Sequence, residues 1–315
     1  MTETRAATFS EFGSLNNIKI GSVDLPEVGE GAVFIEVKAA GVNPVDAGIV
    51  GGHLKGRVPH NFPIIPGWDL AGVVKERGFS ARRFEEGDEV YAYARRPIIQ
   101  WGTFAEHIVI PESYLAVKPA NLDFEEAGAI PLTGLTAYQS LYDAGNLADG
   151  QTVAILGASG GVGSFGIQLA KVKNARVIGV ASEKNHEFME ELGADETIDY
   201  QNTDVGKTIR DIEPGGVDLI FDCTSGETLR QALPTLKDDG KLVSIVNHGD
   251  NIDPSIDFEY VFVEPNSREL DDLCSLAEEG DLKVHISQTF PLEQTRKALQ
   301  QIQTLHTTGK IVIKP

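Results

Sequence analysis

Gln151–Lys171 reads QTVAILGASGGVGSFGIQLAK, and the interpretation of this stretch decides the fold. Val153–Leu156 has the length and branching of a buried strand. The run stops at small residues, Gly157 to Gly163, and Val162, Phe165, Gly166, Leu169 and Ala170 then recur at helical spacing. Strand, tight turn and helix together form the context that a dinucleotide phosphate requires. Gly160 carries no β-carbon to hold a pyrophosphate away, and Gly163 lets the helix pack closely on the strand. The helix N-terminus adds unpaired N–H groups, worth about 0.3–1 kcal/mol toward an anion. The motif is A-x-G-x-x-G, with Ala158 where the first glycine is usual, and Ser159, Gly160, Gly161 and Val162 form the candidate cradle. The competing interpretation is an ordinary strand-to-helix turn.

On the C-terminal side, strands and helices alternate. Arg176–Ala181 is followed by a helix at His186–Leu192 and a strand at Glu196–Ile198. Val217–Phe221, a helix near Glu227–Leu236, Lys241–Val246 and Ile256–Val263 complete the series. Such alternation predicts an α/β, doubly wound parallel sheet of Rossmann type over residues 122–264. On the N-terminal side, residues 1–121 show short strand patterns broken by Gly and Pro: Ala32–Ala39, Leu70–Val74, Asp88–Ala92 and Phe104–Ile110. No helical periodicity competes there, so an antiparallel β domain is expected. Residues 265–315 return to mixed character, with helices over Arg268–Glu279 and Glu293–Leu305 and a strand over Gly309–Lys314. The nucleotide domain is therefore expected to be inserted within the β domain.

The chain has 315 residues, 41% of them hydrophobic, enough for two globular domains. Its 27 Lys and Arg against 47 Asp and Glu give a formal net charge of -20, which repels nucleic acid and anionic membrane. Cys223 and Cys274 are the only cysteines, which excludes a disulfide framework and a cysteine-rich zinc site. The N-terminus MTETRAATF has no apolar signal core, and no apolar run approaches the ~20 residues of a membrane span. A cytoplasmic location is expected.

Further motifs carry a resemblance along nearly the whole chain. They are AAGVNPVD (Ala39–Asp46), FPIIPGWDLAGVV (Phe62–Val74), GDEVYAYA (Gly87–Ala94) and WGTFAEH (Trp101–His107). AIPLTGLTAYQSL (Ala129–Leu141), the glycine turn, LGADETIDY (Leu192–Tyr200) and GKIVI (Gly309–Ile313) follow in order. The chain resembles the zinc-free quinone oxidoreductase (zeta-crystallin-like) and enone reductase branch of the medium-chain dehydrogenase/reductases. The resemblance implies a GroES-like antiparallel β domain beside a Rossmann domain, with the active site in the cleft between them. It also implies hydride transfer from a nicotinamide cofactor, and a homodimer formed through the sheet edge at Ile256–Val263.

Zinc-dependent relatives place a Cys shortly after A-x-G-V and a His-Glu pair in G-H-E-x-x-G; here Asn43 and Gly67-Trp68-Asp69 stand there. An amide and an indole are not zinc ligands, so no metal is expected. Without a Lewis acid, simple alcohol oxidation is disfavoured and reduction of a polarised quinone or enone is favoured.

An NAD site usually ends its second strand in Asp or Glu, whereas this strand ends in Ala181-Ser182. Ser182 leaves room for a 2′-phosphate and Lys184 can neutralise it, which predicts NADPH. Glu183 is the residue that could favour NAD instead, and Ser182 could simply cap the next helix. By resemblance, Tyr200 lies near the same phosphate, and Thr224 lines the adenosine ribose. Ser244, Ile245 and Val246 meet the nicotinamide amide, and Thr133 lies by its ring.

At the reacting end, hydride addition to an enone leaves an enolate that needs stabilisation and a proton. Asn43 can donate through its amide, Asp46 can orient it, Tyr93 is a possible proton donor, and Trp68 supplies apolar wall. The alternative is that Asn43 and Asp46 only build the turn around Pro44. Relatives often carry an aromatic residue or a lysine just after N-P-V-D, where this chain has Ala47-Gly48-Ile49. The expected function is NADPH-dependent, zinc-independent reduction of a small quinone or α,β-unsaturated carbonyl. The rival is a cofactor-binding protein without significant turnover, structural or redox-sensing.

Overall fold

Thr152–Leu156 is a strand whose every residue is buried, as a sheet covered on both faces demands. The computed structural model describes residues 2–315. Six parallel strands lie in the order Glu196–Asp199, Arg176–Ala181, Thr152–Leu156, Val217–Asp222, Leu236–Ser244, Asp257–Tyr260. In sequence terms the order is 3-2-1-4-5-6, the doubly wound arrangement, with its switch point beside the strand that feeds the glycine turn. One helix of the series, Val205–Ile212, was not anticipated from the sequence. Asp204 starts it by accepting the Lys207 N–H at 2.8 Å.

The other unit is built on a seven-stranded sheet. Its path runs Ile286–Pro291, Lys310–Lys314, Ala32–Val42, Asp69–Arg77, Glu89–Tyr93, Leu115–Val117, and His107–Pro111 also pairs with Ala32–Val42. All pairings are antiparallel except that of the first two strands. Ile311 pairs with Val42, so the closing strand brings Lys310 to the end of Ala32–Val42, where Asn43 follows.

Contrary to the expectation of no helix in the first 121 residues, Pro44–Gly51 is helical. Its residues Asp46 to Val50 are all buried, so it has no polar face and produces no helical periodicity. What marks it is the Asn-Pro start and the left-handed Gly52 at its end, φ 87°.

By contact density the first unit comprises residues up to Leu132, Glu264–Glu279 and Val284–Pro315. The second comprises Thr133–Val263 and Gly280–Lys283. The first division thus falls at Leu132 rather than residue 121, because helix Phe124–Ala129 sits on the β sheet. A β-carbon on Gly128 would come within 3.0 Å of the Ala39 carbonyl oxygen. Gly280–Lys283 joins the second unit because Gln168 grips Lys283 twice. Its Nε2 donates to the Lys283 carbonyl at 3.1 Å, and its Oε1 accepts the Lys283 N–H at 2.7 Å.

Candidate cofactor site and buried polar cluster

The glycine turn has the geometry a phosphate needs. Gly157 lies in the left-handed region, φ 80°, and a β-carbon there would come within 2.6 Å of Thr224 Cγ2. A β-carbon on Gly163 would lie 2.4 Å from the Gly157 oxygen and 2.6 Å from Ala158 Cα, so only glycine lets the helix approach. At Gly160 the same test meets nothing closer than the Gly157 oxygen at 3.4 Å, leaving open space above the backbone. Helix Gly161–Val172 begins there with no side chain capping its first N–H groups. These residues fit a dinucleotide pyrophosphate.

The second strand ends in buried Ala181 and half-buried Ser182. Glu183 and Lys184 are exposed, in the short 3-10 turn Glu183–Asn185. Tyr200, 42% exposed, lies alongside, its N–H donating to the Ala181 carbonyl at 3.3 Å. Asn185, not singled out in the sequence, links the two halves of this edge. Its Nδ2 donates to Ser159 Oγ at 2.9 Å and to Ser182 Oγ at 3.3 Å.

A second link joins the next two strand ends. Asp222, fully buried, accepts Ser244 Oγ–H at 2.7 Å on one oxygen. Its other oxygen accepts the N–H groups of Thr224 at 3.0 Å and Ser225 at 2.7 Å. Ser244 Oγ in turn accepts the N–H groups of Val246 at 3.2 Å and Asn247 at 2.9 Å. One carboxylate thereby fixes both loops that carry Thr224, Ser244, Ile245 and Val246. Ser225 itself is held at φ 58°, ψ −164°, a region that side chains avoid. Thr133, 4% exposed, lies in helix Pro131–Tyr138.

In the β unit, Asn43 and Asp46 come together with two residues the sequence reading did not assign, Asp69 and Lys310. All four are buried, at 0%, 0%, 0% and 3% exposure. Asn43 Nδ2 donates to Asp69 Oδ2 at 2.8 Å, while Lys310 Nζ donates to Asn43 Oδ1 at 2.5 Å and lies 3.6 Å from Asp69 Oδ2. Asp69 Oδ1 accepts the Leu132 N–H at 2.7 Å, and Asp46 Oδ2 accepts the Asn43 N–H at 2.8 Å. Burial pushes the Asp46 carboxyl up to about 8, with the Asn43 N–H opposing and the Asp69 charge adding to the rise. Burial also raises Asp69, to about 6, against the pull of Lys310 and Asn43. Lys310 is lowered by burial, against the attraction of both carboxyls. At neutral pH burial therefore keeps the Asp46 carboxyl protonated, while Asp69 faces Lys310 Nζ at 3.6 Å. Trp68, 5% exposed, meets Tyr93 edge-on with ring centroids 6.0 Å apart. Burial raises the Tyr93 phenol well above its ordinary value, with the Arg95 charge opposing, so it remains protonated.

Among the described residues, no group of three or more His, Cys, Asp or Glu is arranged to hold a metal ion. No helix among them is long and apolar enough to cross a membrane.

A 3-2-1-4-5-6 sheet with this glycine turn, carried by a chain that opens and closes in an antiparallel β unit, defines a nicotinamide-dinucleotide oxidoreductase fold. The comparisons with known proteins agree. Residues 29–120 match the alcohol dehydrogenase GroES-like domain and residues 192–313 the zinc-binding dehydrogenase domain. The chain is 34% identical over 322 residues to the NADPH-dependent alkenal/one oxidoreductase, chloroplastic, of Arabidopsis thaliana, covering 99% of this chain and 80% of that protein. Identity to the 2-methylene-furan-3-one reductase of Solanum lycopersicum is 34% over 324 residues, covering 100% and 80%. The solved structure of the quinone oxidoreductase from Coxiella burnetii superposes with a TM-score of 0.90 at 31% identity, covering 100% of both chains. The chain belongs to the medium-chain dehydrogenase/reductase family.

Proposed function

We propose that this chain is an NADPH-dependent, zinc-independent reductase of quinones or of the C=C bond of α,β-unsaturated carbonyls. The observation that carries the reading is the second strand's end. Ser182 stands where an NAD site places a carboxylate, beside Ser159 and two residues before exposed Lys184. Relatives named as NADPH-dependent alkenal/one oxidoreductase and quinone oxidoreductase support the acceptor class. The residue types support zinc independence, since Asn43 is an amide held between Asp69 and Lys310, and Trp68 is an indole packed on Tyr93.

NADPH, when bound, supplies the hydride. The N–H groups of Gly160, Gly161 and Val162 hold the pyrophosphate, and Ser182, Lys184 and Tyr200 receive the 2′-phosphate. Thr224 lines the adenosine ribose, while Ser244 to Val246 and Thr133 orient the nicotinamide. Trp68 and Tyr93 exclude water. Asp46 accepts the Asn43 backbone N–H and fixes that residue, whose second amide hydrogen and the Tyr93 hydroxyl are the donors toward a developing enolate.

A second reading, cofactor binding without turnover, is favoured by one observation: Asn43 is fully buried and its amide is engaged on both sides. NADPH oxidation in the presence of EDTA, against a panel of ortho- and para-quinones, enones and alkenals, separates the two. Turnover that falls in Asn43→Ala while NADPH affinity holds establishes the reductase. Silence across the panel with tight NADPH binding establishes the other.

The reading extends to a cytoplasmic homodimer joined through strand Asp257–Tyr260, which has no strand on its outer side among the described residues. A monomer mass by light scattering at micromolar concentration would remove the dimer.

A further inference from the structure

Asn185 does more than tie two loops together. The backbone of Glu183–Asn185 turns back on itself, the Asn185 N–H donating to the Ser182 carbonyl at 2.9 Å. That turn brings the side-chain amide to two hydroxyls at once, Ser159 Oγ at 2.9 Å and Ser182 Oγ at 3.3 Å. A serine hydroxyl has one hydrogen and two lone pairs, so it can present either polarity to a ligand. Each of these accepts from Asn185 and thereby keeps its hydrogen for another partner. Neither has a second hydrogen bond among the described residues.

We infer that Asn185 is a cofactor-specificity residue: by donating to Ser159 and Ser182 it turns both hydroxyls into donors, and so selects a 2′-phosphate over a 2′-hydroxyl. The inference rests on the reading that the chain uses NADPH. A phosphate monoester offers only acceptor oxygens and needs donors. A ribose 2′-hydroxyl is instead recognised by a carboxylate acceptor. The local carboxylates are not placed to supply one. Asp199 already accepts the Gln201 N–H at 3.1 Å and Asn202 Nδ2 at 2.6 Å, and Glu183 is exposed. Lys184 adds charge but no polarity choice; the amide sets the polarity.

The test compares Asn185→Ala and Asn185→Asp with the wild-type chain, titrating NADPH and NADH separately by nicotinamide fluorescence. Alanine withdraws the two donations, and NADPH affinity is expected to fall about tenfold with NADH within twofold. Aspartate offers only acceptors, so it captures the serine hydrogens and adds a like charge; an NADPH loss of roughly 100-fold is expected, again with NADH nearly unchanged. Should one variant fail to fold by circular dichroism, Ser182→Ala removes one donor without altering Asn185 and is expected to lower the NADPH/NADH affinity ratio in the same direction. Equal losses for both cofactors, or an unchanged ratio in Asn185→Asp, would overturn the inference while leaving NADPH use intact. A wild-type chain that prefers NADH overturns the inference together with the reading beneath it.

Discussion

The two polar assemblies of this molecule use the same chemistry to opposite ends. In the β unit, Asn43, Asp46, Asp69 and Lys310 are buried and spend most of their hydrogen bonds inside the protein, although Asp46 Oδ1 has no partner among the described residues. At the end of the parallel sheet, Asn185, Ser159 and Ser182 are linked with the hydroxyl hydrogens unspent, and helix Gly161–Val172 starts without a side-chain cap. The first arrangement is largely closed on itself; the second keeps donors unspent, as the proposed 2′-phosphate site requires. A buried polar group without a partner is costly, whereas a site that binds a ligand keeps donors free for it.

Removing the cation from the closed network should have the largest effect. Lys310→Met leaves the Asp69 carboxylate buried without its ion partner, and a loss of about 3–5 kcal/mol in urea denaturation is expected. Asp69→Asn in the same chain should recover much of it. A loss below about 1 kcal/mol, the worth of an exposed pair, would erase the contrast between the assemblies.

The open edge should respond in specificity rather than in stability. Ser182→Asp places a carboxylate where the strand ends, and the NADPH/NADH ratio of kcat/KM is expected to fall by roughly 100-fold and invert. Urea midpoints should hardly move. An untouched ratio would refute the assignment of this edge to the 2′-phosphate.

The smallest effect, counted per unit of pH, sharpens the comparison. Asp46 titrates near 8 when folded and near 3.8 as the free side chain. Between those values the folded chain keeps a proton that the unfolded chain has released, so this group makes stability fall as pH rises through that window. Asp69, raised to about 6, acts in the same sense below that pH and is present in both proteins compared. Asp46→Asn cannot titrate there, so its unfolding free energy in urea relative to wild type should climb from pH 5 to pH 8, by at most ~1.4 kcal/mol per pH unit. A difference that stays flat would mean that Asp46 is ionised in the folded chain.

Much of the fold was legible because its signals are local. Six strands with helices between them, and a glycine turn after the first, lie within short windows, and the strands are found in the doubly wound order. Helix Pro44–Gly51 was hidden because burial on every side erases the periodicity that reveals helices. Among the proposed site residues, Ser159, Gly160 and Ser182 were read from the motif and the strand end. Asn185 was not singled out because only the turn geometry shows its side chain reaching both serines. Nothing local to Asp222, just past the strand read at Val217–Phe221, shows that Ser244 lies against it. Lys310 was read as part of the closing strand Gly309–Lys314 and of the GKIVI match, with no role of its own. Its partner Asn43 is 267 residues away, and no sequence window spans that distance.

That distance has a consequence for how the protein is made. Residues 133–263 and Gly280–Lys283 form a nearly continuous unit that is all synthesised before the closing strand Lys310–Lys314. The unit begun before them cannot finish: Asp69 lacks its counter-charge, and strand Ala32–Val42 lacks its Lys310–Lys314 neighbour, until the last stretch is translated. The half synthesised first is therefore completed last, and throughout elongation its open sheet edge is the part of the nascent chain most in need of a chaperone.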